Sequence, residues 1–187
     1  VVAVLIGGGL FSFVNQQRET RAQAAGELEE IQQTLAAAEP SEATGQLRDF
    51  LAQYAGTPYA VEARLVLAEL LLEEGRASDA VTTLTEVAPS FRDPLRLQAT
   101  ILLAAAYEEA EDWEAAADVY GELRERAEFA FQRRDAAEGL ARAHLARGDT
   151  TAAASVYREV LAELEEDSEE RSYFEMRLAE LAADSPS

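Results

Sequence analysis

A regular internal spacing constrains this chain more than any other feature. Four segments open on a small residue and continue through apolar positions: EATGQLRDFLAQY from Glu42, DAVTTLTEV from Asp79, AAADVYGEL from Ala115 and AAASVYREV from Ala152. Their matching alanines, Ala43, Ala80, Ala116 and Ala153, stand 37, 36 and 37 residues apart. A second series interleaves with the first, since Leu67-Ala68, Leu103-Ala104, Leu140-Ala141 and Leu178-Ala179 step by 36, 37 and 38 residues. Two interleaved series of one period describe a unit of two helices joined by a turn. Composition agrees: 38 of the 187 residues are Ala, against ten Gly and five Pro, which is too much helix former for an all-β chain.

The spacing has a physical reason. Two antiparallel helices joined by a short loop approach closely only where a side chain is small, so each crossing asks for an alanine. A larger residue there overpacks the crossing by about 1–3 kcal/mol. The turns fit the same scheme. Gly75 and Gly148 stand where a left-handed residue ends the first helix of a pair, and Glu111-Asp112 occupies the equivalent turn of the middle unit. Thr57-Pro58 and Asp93-Pro94 read as a cap followed by the proline of a first helical turn.

The unit resembles the tetratricopeptide repeat, whose length is about 34 residues. The residues that carry the resemblance are Leu-Ala on the first helix, the aromatic Tyr107 one turn later, a Gly-Asp or similar turn, and Ala then Tyr on the second helix, as in Ala116 and Tyr120 or Ala153 and Tyr157. The match covers 61–164 and is weaker over 27–53; Leu84 and His144 stand where the pattern has aromatics. The family implies an all-α array of helical hairpins, a right-handed α-solenoid.

Ahead of the repeats, residues 1–14, VVAVLIGGGLFSFV, carry no charge. A spanning helix needs about 20 apolar residues. The chain opens at Val1 without a Met, so 1–14 is expected to be the C-terminal part of a truncated transmembrane helix. Ala22-Gln23-Ala24 has the small-x-small form of a signal cleavage site, but Arg18, Glu19 and Arg21 intervene and disfavour cleavage. A buried core helix fits less well, because Gly7, Gly8 and Gly9 would each weaken it by about 1 kcal/mol. Residues 15–39 are expected as a connecting helix that packs on the array through Ala24, Leu28, Ile31 and Leu35, and 40–187 as the repeats with a C-terminal capping helix. A membrane helix running into a polar helix and then FLAQYAGTPYAVEARLVLAELLLEEGRASDAVTTL is similar to the membrane-anchored ancillary SecYEG translocon subunits. That resemblance implies a single-pass protein of the bacterial inner membrane with its repeats in the periplasm, and as partners translocon subunits, chaperones or exported chains. A Tol–Pal or cell-division and envelope-assembly adaptor is the alternative, as is a homo-oligomer paired through the connecting helix.

Charge and motifs narrow the function classes. Sixteen arginines, no lysine and 36 acidic residues give a net charge of −20, which argues against nucleic acid or anionic lipid as a surface ligand. Cysteine is absent, which removes disulfides, thiol chemistry and a lipidated N-terminus. Phosphate-loop, nucleophile-elbow and zinc-protease motifs are missing, so no catalytic, cofactor or metal residue is assigned. His144 falls on a packing position, and adjacent carboxylates on Ala-rich helices read as solvated faces. What remains is the inner face of the first helices. Counting turns from each Leu-Ala pair places Glu62, Leu65, Glu69, Leu72 and Glu73 there, then Gln98, Ile101, Ala105, Glu108 and Glu109, and last Glu138 and Arg142. Such acidic steps between apolar ones suit a basic or amphipathic segment of a partner protein. Phe129 and Phe131, between the second and third units, are a further candidate contact.

Overall fold

The computed structural model describes the backbone of residues 2–35, 39–87 and 89–183, and the side chains from Val14 onward within those ranges, Pro40 excepted. Among the described residues all regular structure is helical: α1 (Val2–Leu35), α2 (Pro40–Tyr54), α3 (Tyr59–Glu73), α4 (Ala77–Thr85), α5 (Pro94–Glu109), α6 (Trp113–Arg126), α7 (Ala130–Ala146), α8 (Thr150–Glu163) and α9 (Glu169–Ala183). They form two compact units, Val1–Val87 with α1 to α4 and Ala88–Ser187 with α5 to α9.

α1 is continuous through the boundary expected at residues 14 and 15. No helix among the described residues is long and apolar enough to cross a membrane, so the expected membrane segment gains no support beyond its helical backbone. The side chains of 1–13 lie outside the described residues.

In the first unit α1 packs on α2 and α3, α2 on α3, and α3 on α4. The face of α1 that goes inward carries Ala24, Leu28 and Ile31, with Leu35 half-buried at its end. Each second helix buries an alanine and a large residue one turn on: Ala43 with Leu47 in α2 and Ala80 with Leu84 in α4. The weak repeat at 27–53 therefore keeps the register of the rest. In the second unit successive helices pack pairwise from α5 to α9, and the same pairs are Ala116 with Tyr120 and Ala153 with Tyr157. The facing alanines of the first helices, Ala68, Ala104 and Ala141, are all 0% exposed.

The turns inside three hairpins are copies of one another. Gly75, Glu111 and Gly148 have φ of 71, 56 and 78°, and each is flanked by the two hydrogen bonds that close a helix C-terminus. In the middle turn Glu111 N–H donates to the Glu108 carbonyl at 3.0 Å and Asp112 N–H to the Tyr107 carbonyl at 2.9 Å. Asp112 and Asp149 then serve twice, their carboxylates accepting from the amides of Ala115 (3.2 Å) and Ala152 (2.9 Å) to start the next helix. Asp93 caps α5 as its sequence suggests, accepting from Leu95 and Arg96 at 3.1 and 3.2 Å. Thr57 does not cap α3. Its hydroxyl donates to the Tyr54 carbonyl at 2.8 Å and closes the end of α2 instead, because Pro58 itself is already in helical conformation.

One glycine is required by packing. A Cβ on Gly139, in α7, would stand 2.4 Å from the ring of Tyr120, so the phenol lies directly on the α7 backbone. Gly45, by contrast, has nothing within 4 Å of its missing Cβ. Alanine in an exposed helix is worth about 0.5–1 kcal/mol over glycine, whereas overpacking costs about 1–3 kcal/mol. Urea denaturation should therefore show Gly45→Ala more stable than the parent and Gly139→Ala less stable, the two substitutions having opposite signs.

Candidate interaction surface

The inner-face residues expected from the sequence divide between the units, Glu62 to Glu73 in the first and Gln98 to Arg142 in the second. In the first unit the face is partly closed. Gln32 of α1 donates to Glu62 at 2.9 Å, and Leu65, one turn further along α3, is only 4% exposed. Leu65 is thus core rather than an apolar step of an open groove, because α1 packs on α3 over this stretch. Beyond it Glu69 and Glu73 are exposed beside the half-buried Leu72. The arginines of this hairpin are committed elsewhere: Arg64 pairs with Glu86 at 2.6 Å, and Arg76 with Glu74 at 2.9 Å and with Asp79. Glu69 and Glu73 form no ion pair among the described residues, so their charge faces solvent undiminished.

In the second unit Gln98 and Glu109 are exposed, Ala105 is half-buried and Ile101 is 43% exposed. Glu108 is not a free carboxylate. It accepts from both Nε and Nη2 of Arg142, at 3.2 and 3.1 Å, and from the Tyr120 hydroxyl at 3.0 Å. The guanidinium of Arg142 lies 6.0 Å from the Tyr120 ring centre, and that ring rests on Gly139. Glu108 and Arg142 therefore join α5 to α7 across the tyrosine of α6, and their opposite charges cancel. Burial, together with the charge of Glu108 and its hydrogen bond, pushes the Tyr120 phenol up to about 12. Glu138 is half-buried, and the interaction of its carboxylate with the Tyr173 hydroxyl of α9 raises the Tyr173 phenol above its ordinary value.

The repeat register of Trp113 predicts inter-helix packing rather than a recognition surface, and the exposed residues of α9 escaped the reading of the sequence. Trp113 is half-buried and, with Glu109, Glu111, Leu145 and Ala146, lines a shallow depression next to the Glu108–Arg142 pair. Tyr173 and Met176 of α9 are 43 and 52% exposed. The signal was available, because 101, 138 and 176 are 37 and 38 apart and hold one register position. Phe129 and Phe131 are 53 and 55% exposed, with rings stacked 5.8 Å apart. Arg133 holds their turn in place by donating to the carbonyls of Ala127 (3.0 Å) and Glu128 (2.9 Å). Among the described residues no three of His, Asp and Glu converge closely enough to hold a metal ion.

Hairpins of constant register, an alanine at each crossing and a shared turn agree with a family model described as a tetratricopeptide repeat-like domain, which matches residues 1–183. The chain belongs to that family. Crystal structures of nearly identical TPR-like repeats from Podosopora anserina, in a protein named for the kinesin light chain, share the fold with a TM-score of 0.65, and 0.64 for a substituted form. Both are 22% identical to this chain over 87% of its length and 87 and 86% of theirs, a likeness of fold alone. No curated protein matches the chain. Tetratricopeptide hairpins generally bind proteins or peptides.

The buried phenol sets a pH dependence. The fold favours neutral Tyr120, whereas an unfolded tyrosine ionises near pH 10, so this stabilisation is complete below about pH 10 and is lost as pH rises toward about 12. Comparing urea midpoints at pH 7 and pH 11 should show a larger fall for the parent than for Tyr120→Phe, which keeps the ring on Gly139 and cannot ionise.

Proposed function

We propose that the protein is a non-catalytic docking scaffold whose first-unit inner face binds basic or amphipathic segments of other proteins. The observation that carries this reading is the pair of exposed carboxylates Glu69 and Glu73 beside Leu72, left unneutralised while Arg64 and Arg76 bind other partners. Carboxylates without a local counter-charge steer a cationic segment, and a half-buried leucine between them gives its apolar residues a place to be buried. The same arrangement does not suit a terminal carboxylate, for the chain has no lysine and the face no free arginine.

The finer part of the proposal is location and partner. The uncharged run 1–14, continuous with α1, supports anchoring in the bacterial inner membrane with the repeats in the periplasm. The similarity of the chain to ancillary SecYEG translocon subunits supports translocon subunits, periplasmic chaperones or exported chains as partners. A Tol–Pal or division adaptor is the second reading, favoured by the similar repeats of those proteins.

Photocrosslinking from Glu69 and Phe129 in native membranes should capture translocon subunits, chaperones or exported chains. Capture of Tol–Pal or wall-synthesis proteins moves the assignment to division, and adducts with itself alone favour an oligomerisation module. Glu69→Arg with Glu73→Arg should cut capture by about tenfold, equivalent to about 1.4 kcal/mol, while helicity by circular dichroism is unchanged. Undiminished capture removes the acidic face from the account. Glu108→Arg is a poorer probe, since it breaks the contact with Tyr120 and Arg142 as well.

A further inference from the structure

The three hairpins that share one turn differ in what they place at it. The left-handed residue is Gly75 between α3 and α4 and Gly148 between α7 and α8, but Glu111 between α5 and α6. Glycine holds that backbone freely, whereas a residue with a Cβ is disfavoured there. Two residues later the register position holds Ala77, Trp113 and Thr150 in the same three hairpins. Both departures of the middle hairpin, the carboxylate and the indole, line the depression beside the Glu108–Arg142 pair, together with Glu109 of α5 and Leu145 and Ala146 of α7. The two hairpins that wall this depression, α5 with α6 and α7 with α8, each have both helices in place.

We propose that this depression receives an arginine side chain from an exposed segment of a partner protein, the guanidinium lying on the Trp113 ring and donating to Glu109 and Glu111. The proposal rests on the scaffold reading and gives it a second, separate contact. Charge selects the occupant. The lining holds three carboxylates against one arginine, a balance of −2. Glu108 and Arg142 neutralise each other at 3.1 Å, which leaves Glu109 and Glu111, both exposed and without an ion pair among the described residues. α5 and α7 also end here, at Glu109 and Ala146, and the last turn of a helix carries partial negative charge. Trp113 is half-buried, and Leu145 and Ala146 give the aliphatic stem of a long side chain an apolar wall. A guanidinium stacks on an aromatic face and offers its N–H groups to carboxylates as a planar fork, which the compact ammonium of a lysine does not.

Trp113 is the one tryptophan of the chain, so its fluorescence reports on this depression. The whole chain is titrated with the peptide acetyl-Gly-Ser-Arg-Ser-Gly-amide and with counterparts carrying lysine or the uncharged citrulline in place of the arginine. Tryptophan emission should change saturably with the arginine peptide, need about fivefold more of the lysine peptide, and stay constant with citrulline. Glu109→Gln with Glu111→Gln should raise the half-saturating concentration about tenfold. Glu111→Gly separates binding from folding: it should weaken binding of the arginine peptide while the thermal midpoint by circular dichroism holds or rises, since the sister turns carry glycine. Absence of a saturable change overturns the proposal, as do an equal response to citrulline or lysine and binding indifferent to the glutamate substitutions. A dimer in sedimentation equilibrium that the double glutamine variant dissolves also overturns it, by making a second copy the source of the arginine. Glu69→Arg with Glu73→Arg should leave the titration unchanged, so failure of this site and failure of the acidic inner face are read independently; a titration lost in that variant places the peptide on the inner face and overturns the proposal.

Discussion

Helices in this chain come together only as closely as the side chains at their crossings permit, and at each crossing that side chain is the methyl group of an alanine. Ala43, Ala80, Ala116 and Ala153 on the second helices and Ala68, Ala104 and Ala141 on the first are all sealed from solvent. Close approach brings the large residue of the next turn, Leu47, Leu84, Tyr120 or Tyr157, into contact with many neighbours at once, and that sum of small dispersion terms is the core. Where the large residue is Tyr120, even a methyl group opposite is too much, and Gly139 lets the ring lie on the backbone. Hairpin spacing, turn geometry and the position of every exposed face follow from this constraint.

The arrangement of charge is subordinate to that packing. A surplus of carboxylates over arginines means that the arginines set between helices find acidic partners and leave other carboxylates unanswered. Arg64, Arg124 and Arg142 tie adjacent helices together. Glu108, counted among the acidic steps of the inner face, is consumed by one of these ties, and Glu62 is engaged by a glutamine of α1. What is left for a partner is smaller and better defined than a continuous acidic groove: Glu69 and Glu73 with Leu72 in one unit, and in the other the exposed apolar residues Ile101 and Met176 with Glu109 beside Trp113.

The repeat could be read from the sequence because a crossing leaves an alanine at a fixed interval whatever surrounds it. The turns at Gly75 and Gly148 were readable for the same kind of reason, since few residues adopt their backbone conformation, and Glu111 was found by register although its side chain gives no hint of it. Leu65 shows the limit. Its register mates are the exposed Ile101 and the half-buried Glu138, and it is buried because α1, a helix outside the clear repeat, packs on α3. Thr57 is a similar case, for either helix end beside it could claim its hydroxyl, and only the backbone of Pro58 decides between them.

The sequence by itself determined the class of fold, the period of the hairpins, their turns and the sign of the surface, because these depend on residue size, backbone preference and charge, which are properties of single positions or of positions a few turns apart. Tertiary structure alone decided which inner-face residues are open, which carboxylates are already paired, and that Tyr120 rests on Gly139. Those outcomes depend on contacts between helices 20 to 40 residues apart, as between Glu108 and Arg142 or Gln32 and Glu62, and burial or pairing at such a distance leaves no mark on local periodicity.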